Sequence, residues 1–393
     1  MTKDKYGGES QLHRIIVMTT FKRSATELFI VATLLTACTG KTISTSSATK
    51  INSFTYTFLP LDSENIGKLE EVSSWNIMNA PISLLKYNNP SNNLIAVSEE
   101  NKKIVKLDVQ TGKTTSYDIE NVSNFRAIGF DAKGEKLLGA GLRVDLKNLG
   151  GVKGGIDWLA LWDVNSGLQL ECVIGFCSDS ASLELNLTGS SADLDNGIIV
   201  DFSEGGYSIN ADKYSGGALI NSPDADYQWR IGNIAIDSHN KRLAIVYQEG
   251  RIELTAIKPY DIGNFSIIGP ALEKGDKGQL QPVHAALFDR TGKWLAIVRG
   301  EQLSIWDVDG WFKKVVYLEN VGVIHGIGFS PSSKFLFLAT DDKIKIINLD
   351  KNKLEAELDS PNITSLDISE DNRLLFWGDK NGTIHLYGVL KTR

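Results

Sequence analysis

Cysteine is scarce in this chain, with three residues among 393. Cys38 stands alone, while Cys172 and Cys177 lie close together without the Cys-x-x-Cys spacing of common zinc sites. No histidine lies near them in the sequence. We therefore predict no metal site and no cysteine nucleophile.

Short motifs of the common enzyme classes are also missing. The chain has no Gly-x-Ser-x-Gly turn and no His-Glu-x-x-His helix, and it contains only five histidines. We therefore predict no catalytic residue and no cofactor. An enzyme that gathers its site from distant segments leaves no such motif and stays open as an alternative.

Charge and length exclude further classes. The formal net charge is −7 with both signs interspersed, and no basic stripe is present, so no nucleic-acid partner is expected. About 355 residues follow Cys38. That length exceeds what one hydrophobic core usually organises, so it indicates two domains or a repeat architecture.

One short apolar run, Leu28 to Leu35, follows Lys22 and Arg23 and precedes a small-residue segment that ends at Cys38. This order is typical of a secretory signal, and the run is too short to remain as a membrane-spanning helix. We predict that residues 1–38 form the leader, with Met18 as the true start. The other interpretation is a buried strand or helix with an ordinary core thiol at Cys38.

The tetrapeptide Leu35-Thr36-Ala37-Cys38 resembles the lipobox of bacterial lipoproteins. The resemblance implies that lipid is attached to Cys38 and that the chain is cleaved just before it. Thr39 follows, where an aspartate would favour the inner membrane by the same analogy. The expectation is an outer-membrane lipoprotein that faces the periplasm and touches the membrane through its lipid only. Residues 39–51, rich in Ser and Thr, are predicted to be a flexible tether.

An exported chain meets oxidising conditions in which Cys172 and Cys177 could form a disulfide. Five fully extended residues would hold the two thiols too far apart, so a bond requires a turn, for example at Gly175. Two separate buried thiols are the alternative, and the sequence leaves both open.

A repeated pattern dominates the rest of the chain. The segment Ile324-His325-Gly326-Ile327-Gly328-Phe329-Ser330 is a short apolar strand closed by a small polar residue, with turn residues, a second apolar strand and a third strand after it. Copies of its first strand begin at Ile82, Phe125, Ile231, Val283 and Ile363. The pattern predicts repeated antiparallel sheets.

Two third strands end in Trp162-Asp163 and Trp306-Asp307, and this pair resembles the signature of WD40 repeats. The repeat intervals bracket the WD40 period. The resemblance implies an all-β, seven-bladed β-propeller over residues 52–393. The expected blades are 82–119, 125–176, 182–222, 231–270, 283–320, 324–359 and 363–388.

The last repeat supplies only three strands. An alternating segment, Asn52 to Leu59, carries Phe54, Tyr56 and Phe58 on one face. Because an open ring would leave an unpaired sheet edge, we predict that this N-terminal strand completes the seventh blade.

Arg126, His284 and His325 occupy the second position of three first strands. In the WD40 architecture this position lies at one mouth of the central channel, so the three side chains are predicted to form a polar binding rim there.

Three longer segments, 61–80, 141–157 and 271–282, are expected to be irregular insertions on the same face. Trp75 and Trp158 lie in or beside them and are predicted to be exposed anchors for a partner, because tryptophan is enriched at binding hot spots.

The function expected from this pattern is a monomeric protein-interaction platform for an unknown protein partner in the envelope. The alternatives are a propeller hydrolase or a carbohydrate-binding protein that uses the channel mouth, or a structural subunit of an envelope assembly. Fold alone does not decide among them.

Overall fold

The computed structural model contains strands and one short 3-10 helix, Ile66–Lys68, among the residues it describes. The prediction of an all-β fold is confirmed. No helix in this described part is long and apolar enough to cross a membrane. The described residues are 57–88, 91–100, 102–118, 122–130, 136–143, 156–166, 169–174, 187–193, 198–203, 206–211, 214–219, 231–237, 239–248, 250–256, 265–267, 281–310 and 313–391.

The strands of these segments form seven antiparallel sheets, numbered I to VII along the chain. Two early strands, β1 (Phe58–Leu59) and β2 (Glu70–Asn76), join the last sheet. Sheet I contains β3 (Leu84–Asn88), β4 (Asn93–Ser98), β5 (Lys103–Asp108) and β6 (Thr114–Asp118). Sheet II contains β7 (Val122–Phe130), β8 (Lys136–Arg143), β9 (Ile156–Asp163) and β10 (Gln169–Ile174).

Sheet III contains β11 (Leu187–Asp193), β12 (Ile198–Ser203), β13 (Gly206–Ala211) and β14 (Tyr214–Leu219). Sheet IV contains β15 (Ile231–Asp237), β16 (Arg242–Tyr247), β17 (Ile252–Ala256) and β18 (Phe265–Ile267). Sheet V contains β19 (Val283–Phe288), β20 (Trp294–Arg299), β21 (Gln302–Asp307) and β22 (Lys313–Leu318).

Sheet VI contains β23 (Ile324–Phe329), β24 (Phe335–Thr340), β25 (Lys343–Asn348) and β26 (Lys353–Asp359). Sheet VII contains β27 (Ile363–Ile368), β28 (Leu374–Asp379) and β29 (Thr383–Leu390). Sheets I to VI are meanders in chain order, and sheet VII is a three-stranded meander to which β1 and β2 add. Five of the seven predicted repeat spans contain a whole sheet, whereas sheet II begins earlier, at Val122, and sheet VII extends to Leu390.

The second strand of a sheet is apolar on both faces because neighbouring sheets cover both faces. In β20, Leu295 and Ile297 pack with side chains of β16 in sheet IV. The alternate residues Ala296 and Val298 pack with Leu336 of β24 in sheet VI. This two-sided packing explains the uninterrupted apolar runs in the sequence.

In sheets V and VI, the first turn, between the first and second strands, is closed by a buried polar side chain. Ser330 Oγ accepts hydrogen bonds from the backbone N–H groups of Lys334 (3.2 Å) and Phe335 (3.0 Å). Asp289 Oδ1 accepts one from Trp294 N–H at 2.6 Å. In sheets V and VI the small polar residue after the first strand is therefore a turn acceptor.

The first strands of the seven sheets contact one another in chain order. Each first strand contacts that of the preceding and the following sheet, and β27 of sheet VII contacts β3 of sheet I. Hydrogen bonds accompany this last contact: Tyr87 N–H donates to Asp367 Oδ2 (2.6 Å), and Thr364 Oγ1 donates to the Ile82 carbonyl (2.7 Å).

The two ends of the described chain meet in sheet VII. β2 pairs with β29 along its whole length, from Glu70 opposite Gly388 to Asn76 opposite Thr383. β1 contributes only the pairs of Phe58 and Leu59.

The predicted closing strand, Asn52 to Leu59, is thus placed too early, because β2 makes most of the pairing. Residues 52–56 lie outside the described part. The sequence pattern did not predict β2, because few of its residues are apolar and a bulge between Glu71 and Ser73 interrupts the alternation of its side chains.

Candidate functional site

The predicted rim lies where the first strands start, beside the second turns, which join the second and third strands of each sheet. His325 is the second residue of β23, and its Nε2 lies 2.7 Å from Asp341 Oδ1. Ile324 pairs with Thr340, so the register places Asp341 beside the histidine. The Asp341 side chain is 56% exposed and the His325 side chain 24%. The pair is a polar, solvent-facing feature.

His284 occupies the equivalent position in β19 and is exposed. Its carbonyl accepts a hydrogen bond from Asn233 Nδ2 of sheet IV (3.4 Å). The neighbouring Val283 N–H donates to Gln248 Oε1, also of sheet IV (3.0 Å). These contacts fix the backbone while the imidazole remains accessible to a partner.

Val323 adds an apolar element to this region. It directly precedes β23 and is 49% exposed. Leu354, at 44%, is the other large exposed apolar side chain among the described residues, and it lies on the outer strand β26. The rim therefore exposes one large apolar side chain, Val323, and the outer strand β26 exposes one, Leu354.

Arg126 and Trp158 are described by their backbones only. Arg126 lies within β7, and Trp158 lies within β9, where it pairs with Gly141 and Ile174. The prediction that they bind a partner stays a prediction. The predictions for the cysteines also stay predictions. Cys172 of β10 pairs with Ala160 of β9, while Cys177 and Cys38 lie outside the described residues.

The structure corrects the prediction that Trp75 is an exposed anchor. Its predicted place was an exposed loop within 61–80, but it lies in β2 and is only 6% exposed. It packs in a core cluster with Met78, Tyr87 and Phe376. A side chain in this environment stabilises the fold and cannot anchor a partner. Part of the predicted loop 141–157 is also strand, since β8 extends to Arg143 and β9 begins at Ile156.

Arg299 is a structural residue that sequence reasoning missed. It is buried at the end of β20 and donates hydrogen bonds to three carbonyls. Two of them, of Tyr247 (2.6 Å) and Gln248 (2.8 Å), lie at the end of β16 in sheet IV, and the third, of Gln281 (2.9 Å), lies just before β19. The fork of its guanidinium joins sheets IV and V beside His284. A charged residue ending an otherwise apolar strand is the sequence signal that could have identified it.

A second cluster of titratable side chains lies in sheet VII. His385 of β29 stacks on Trp377 with 3.8 Å between ring centroids. Its Nδ1 lies 3.0 Å from Glu71 Oε1 of β2, and its Nε2 lies 3.8 Å from Asp379 Oδ2. The cluster holds β2 against β29. No group of three or more histidines, cysteines or carboxylates that could hold a metal occurs in the described ranges.

No protein-family model matches this chain, and no curated protein matches it with significant similarity. The functional argument therefore rests on the residues and their geometry.

Proposed function

We propose that this chain is a seven-bladed, WD40-like β-propeller, anchored by lipid to the bacterial outer membrane and facing the periplasm. In this proposal it acts as a monomeric platform that binds a protein partner at the rim around His284 and His325.

The observation that carries the architecture is the cyclic series of contacts among the seven first strands, in which β27 meets β3. Seven meanders whose first strands contact in this order fit a ring of blades. The pairing of β2 with β29 supports closure, because it covers an edge that would otherwise be open.

The rim supports a binding role through its composition. The His325–Asp341 pair and the exposed His284 supply hydrogen-bonding groups, and Val323 supplies an apolar contact. An apolar residue within a polar surround is a common arrangement at protein interfaces. The backbone contacts from sheet IV preorganise the rim, which reduces the entropy cost of binding.

Site-specific photo-crosslinking in cells tests the rim. A photoreactive residue at Val323 should crosslink to one protein species, while the same residue at the equally exposed Leu354 should not. Asp341→Ala should weaken capture at Val323, since truncation of an interface residue often costs about 1–3 kcal/mol of binding. Capture at Leu354 alone would contradict the rim. Co-purification at fixed stoichiometry would favour the structural-subunit alternative.

Labelling with a fatty-acid analogue tests the anchor. The protein should incorporate label, Cys38→Ser should abolish it, and the control Cys172→Ser should leave it unchanged. Label retained by Cys38→Ser would contradict attachment at that residue.

A further inference from the structure

Exposed charge is distributed unequally between the first turns and the second turns, which lie at opposite ends of the sheets. In sheets IV to VII, the first turns expose basic side chains: Lys241, Arg290, Lys293, Lys334 and Arg373. Two carboxylates of these turns, Asp237 and Asp289, are buried, while Glu370 and Asp371 are exposed. Asp371 Oδ2 lies 3.7 Å from Arg373 Nε. The third turns, between the third and fourth strands, lie at the same end and expose Asp309, Asp350 and Lys351, and Asp309 Oδ1 lies 3.5 Å from Arg242 Nη2. In the described first and third turns of sheets IV to VII, exposed basic side chains still outnumber exposed carboxylates, by six to four.

The second turns have the opposite balance. Their exposed acidic residues in the described part are Glu100, Glu301, Asp341 and Asp342. Their exposed basic residues are Lys102 and Lys380.

The first turns of sheets IV to VII lie at one end of the sheets. Between sheets IV and V, Asn240 Nδ2 donates to the Thr291 carbonyl (3.0 Å) and Arg242 Nη2 to the Gly292 carbonyl (2.5 Å), so these two turns touch. A Cβ at Gly292, whose φ is +75°, would overlap Asp237, so the close approach requires glycine.

At the opposite end, the segments between sheets contact the second turns. Val321 N–H donates to the Glu301 carbonyl, and Asn362 N–H to the Asp341 carbonyl. Lys380 N–H donates to the Asn362 carbonyl. Sheets V, VI and VII therefore share the same orientation, and the basic side chains form one surface, which we call the basic face.

The described chain starts at the basic face. Leu61 N–H donates to the carbonyl of Asn372, in the first turn of sheet VII, and Asn372 Nδ2 donates to the Leu61 carbonyl, both at 2.7 Å. Lys391 N–H donates to the Thr57 carbonyl at 2.9 Å. The chain that leads back toward Cys38 therefore leaves the described part at this face, not at the rim.

We infer that the basic face lies against anionic phospholipid headgroups, so that the rim points away from the membrane. The inference rests on the lipid anchor of the proposed function. A chain with a net charge of −7 is repelled from an anionic surface as a whole. Screening limits interactions to about 8 Å at physiological salt, so the charges nearest the bilayer decide which face approaches it.

Lysine acylation on vesicles measures this orientation. The lipidated protein is inserted into vesicles of phosphatidylcholine, or of phosphatidylcholine with roughly a quarter phosphatidylglycerol, and acylation rates are read by mass spectrometry. Lys293 and Lys334 should react about fivefold more slowly on the anionic vesicles, while Lys102 and Lys380 keep their rates. At about 1 M salt, where screening acts within about 3 Å, this protection should disappear.

Charge-reversal variants at the two ends of the sheets test the inference. Lys293→Glu/Lys334→Glu should abolish the protection of Lys241, while Lys102→Glu/Lys380→Glu should preserve it. Equal protection at both ends, or protection independent of phosphatidylglycerol, would overturn the inference. Protection found in cells but not on vesicles would assign the face to an acidic protein and would also overturn it.

A failure of the proposed lipid attachment can be distinguished from a failure of the inference about the basic face. A purified protein that carries no fatty acid contradicts the proposed anchoring, not the basic face. Sedimentation of that same protein with the two kinds of vesicle then tests the face alone, and equal sedimentation with both would overturn it.

Discussion

Trp75 and Ile384 lie directly opposite each other in the pairing of β2 with β29, and both side chains are buried. They share a core cluster with Leu94 of sheet I and Phe376 of sheet VII. One cross-strand pair thus links an early strand, a late strand and the first sheet.

Trp75→Ala should destabilise the fold by about 3–5 kcal/mol, because it removes a large buried side chain from this cluster. Urea unfolding followed by circular dichroism measures the change. Glu70→Ala, an exposed position in the same strand, is the control and should stay within about 0.5 kcal/mol of the parent. A Trp75→Ala protein with parental stability would show that β2 contributes little to closure.

Ser330→Ala should cost about 1–3 kcal/mol, because two backbone N–H groups lose their acceptor in a buried turn. Ser330→Asp should retain most of the stability, since Asp289 accepts the equivalent bond in sheet V. Lys334→Ala, exposed in the same turn, is the neutral control. If the aspartate variant were as unstable as the alanine variant, the two turns would not be equivalent.

Arg299→Met should destabilise by at least about 2 kcal/mol, because three carbonyls lose a charged donor. Arg299→Lys should not rescue it, since an ammonium cannot reproduce the guanidinium fork. Arg290→Met removes an exposed arginine and should be nearly neutral. Chemical denaturation compares the four proteins, and full rescue by lysine would contradict the role of the fork.

The free energy of unfolding should fall at alkaline pH, because the phenol of Tyr117 is buried. Burial, and then the negative charge of Asp163, raise the pKa of Tyr117 to about 12. Its hydroxyl donates to the Val164 carbonyl at 3.1 Å. The unfolded phenol ionises near pH 10, so the stabilisation is complete below pH 10 and is lost as the pH rises from about 10 to 12.

Tyr117→Phe should therefore show a shallower loss of unfolding free energy above pH 10 than the parent. Denaturant titrations at intervals from about pH 8 to 11.5 provide the comparison. Tyr87→Phe should behave similarly, because burial raises the pKa of Tyr87 to about 12 as well. Parallel curves for parent and variants would contradict this linkage.

The sheets could be predicted because their signals are local and repeated. An apolar second strand between two turns, as in Trp294 to Val298, recurs as a buried run in β4, β16, β24 and β28. The closing strand could not be found this way. Its partner lies more than 300 positions away, and its own residues are mostly polar.

The site was harder to predict than the fold. The second position of the first strand indicated His284 and His325, but the partner of His325 depends on the register of β23 with β24. Trp75 was misassigned for a related reason. Exposure depends on which strand covers a residue, and that is set by long-range pairing rather than by neighbouring residues.

The pairing of Leu61 with Asn372 joins positions 311 apart in the chain. During synthesis, β2 leaves the ribosome long before its partner strand has been made. Contacts between such distant segments form slowly, so the closing sheet should be the last to assemble. A pulse-labelled chain should consequently gain protease resistance in one late step, when β29 has been made and pairs with β2.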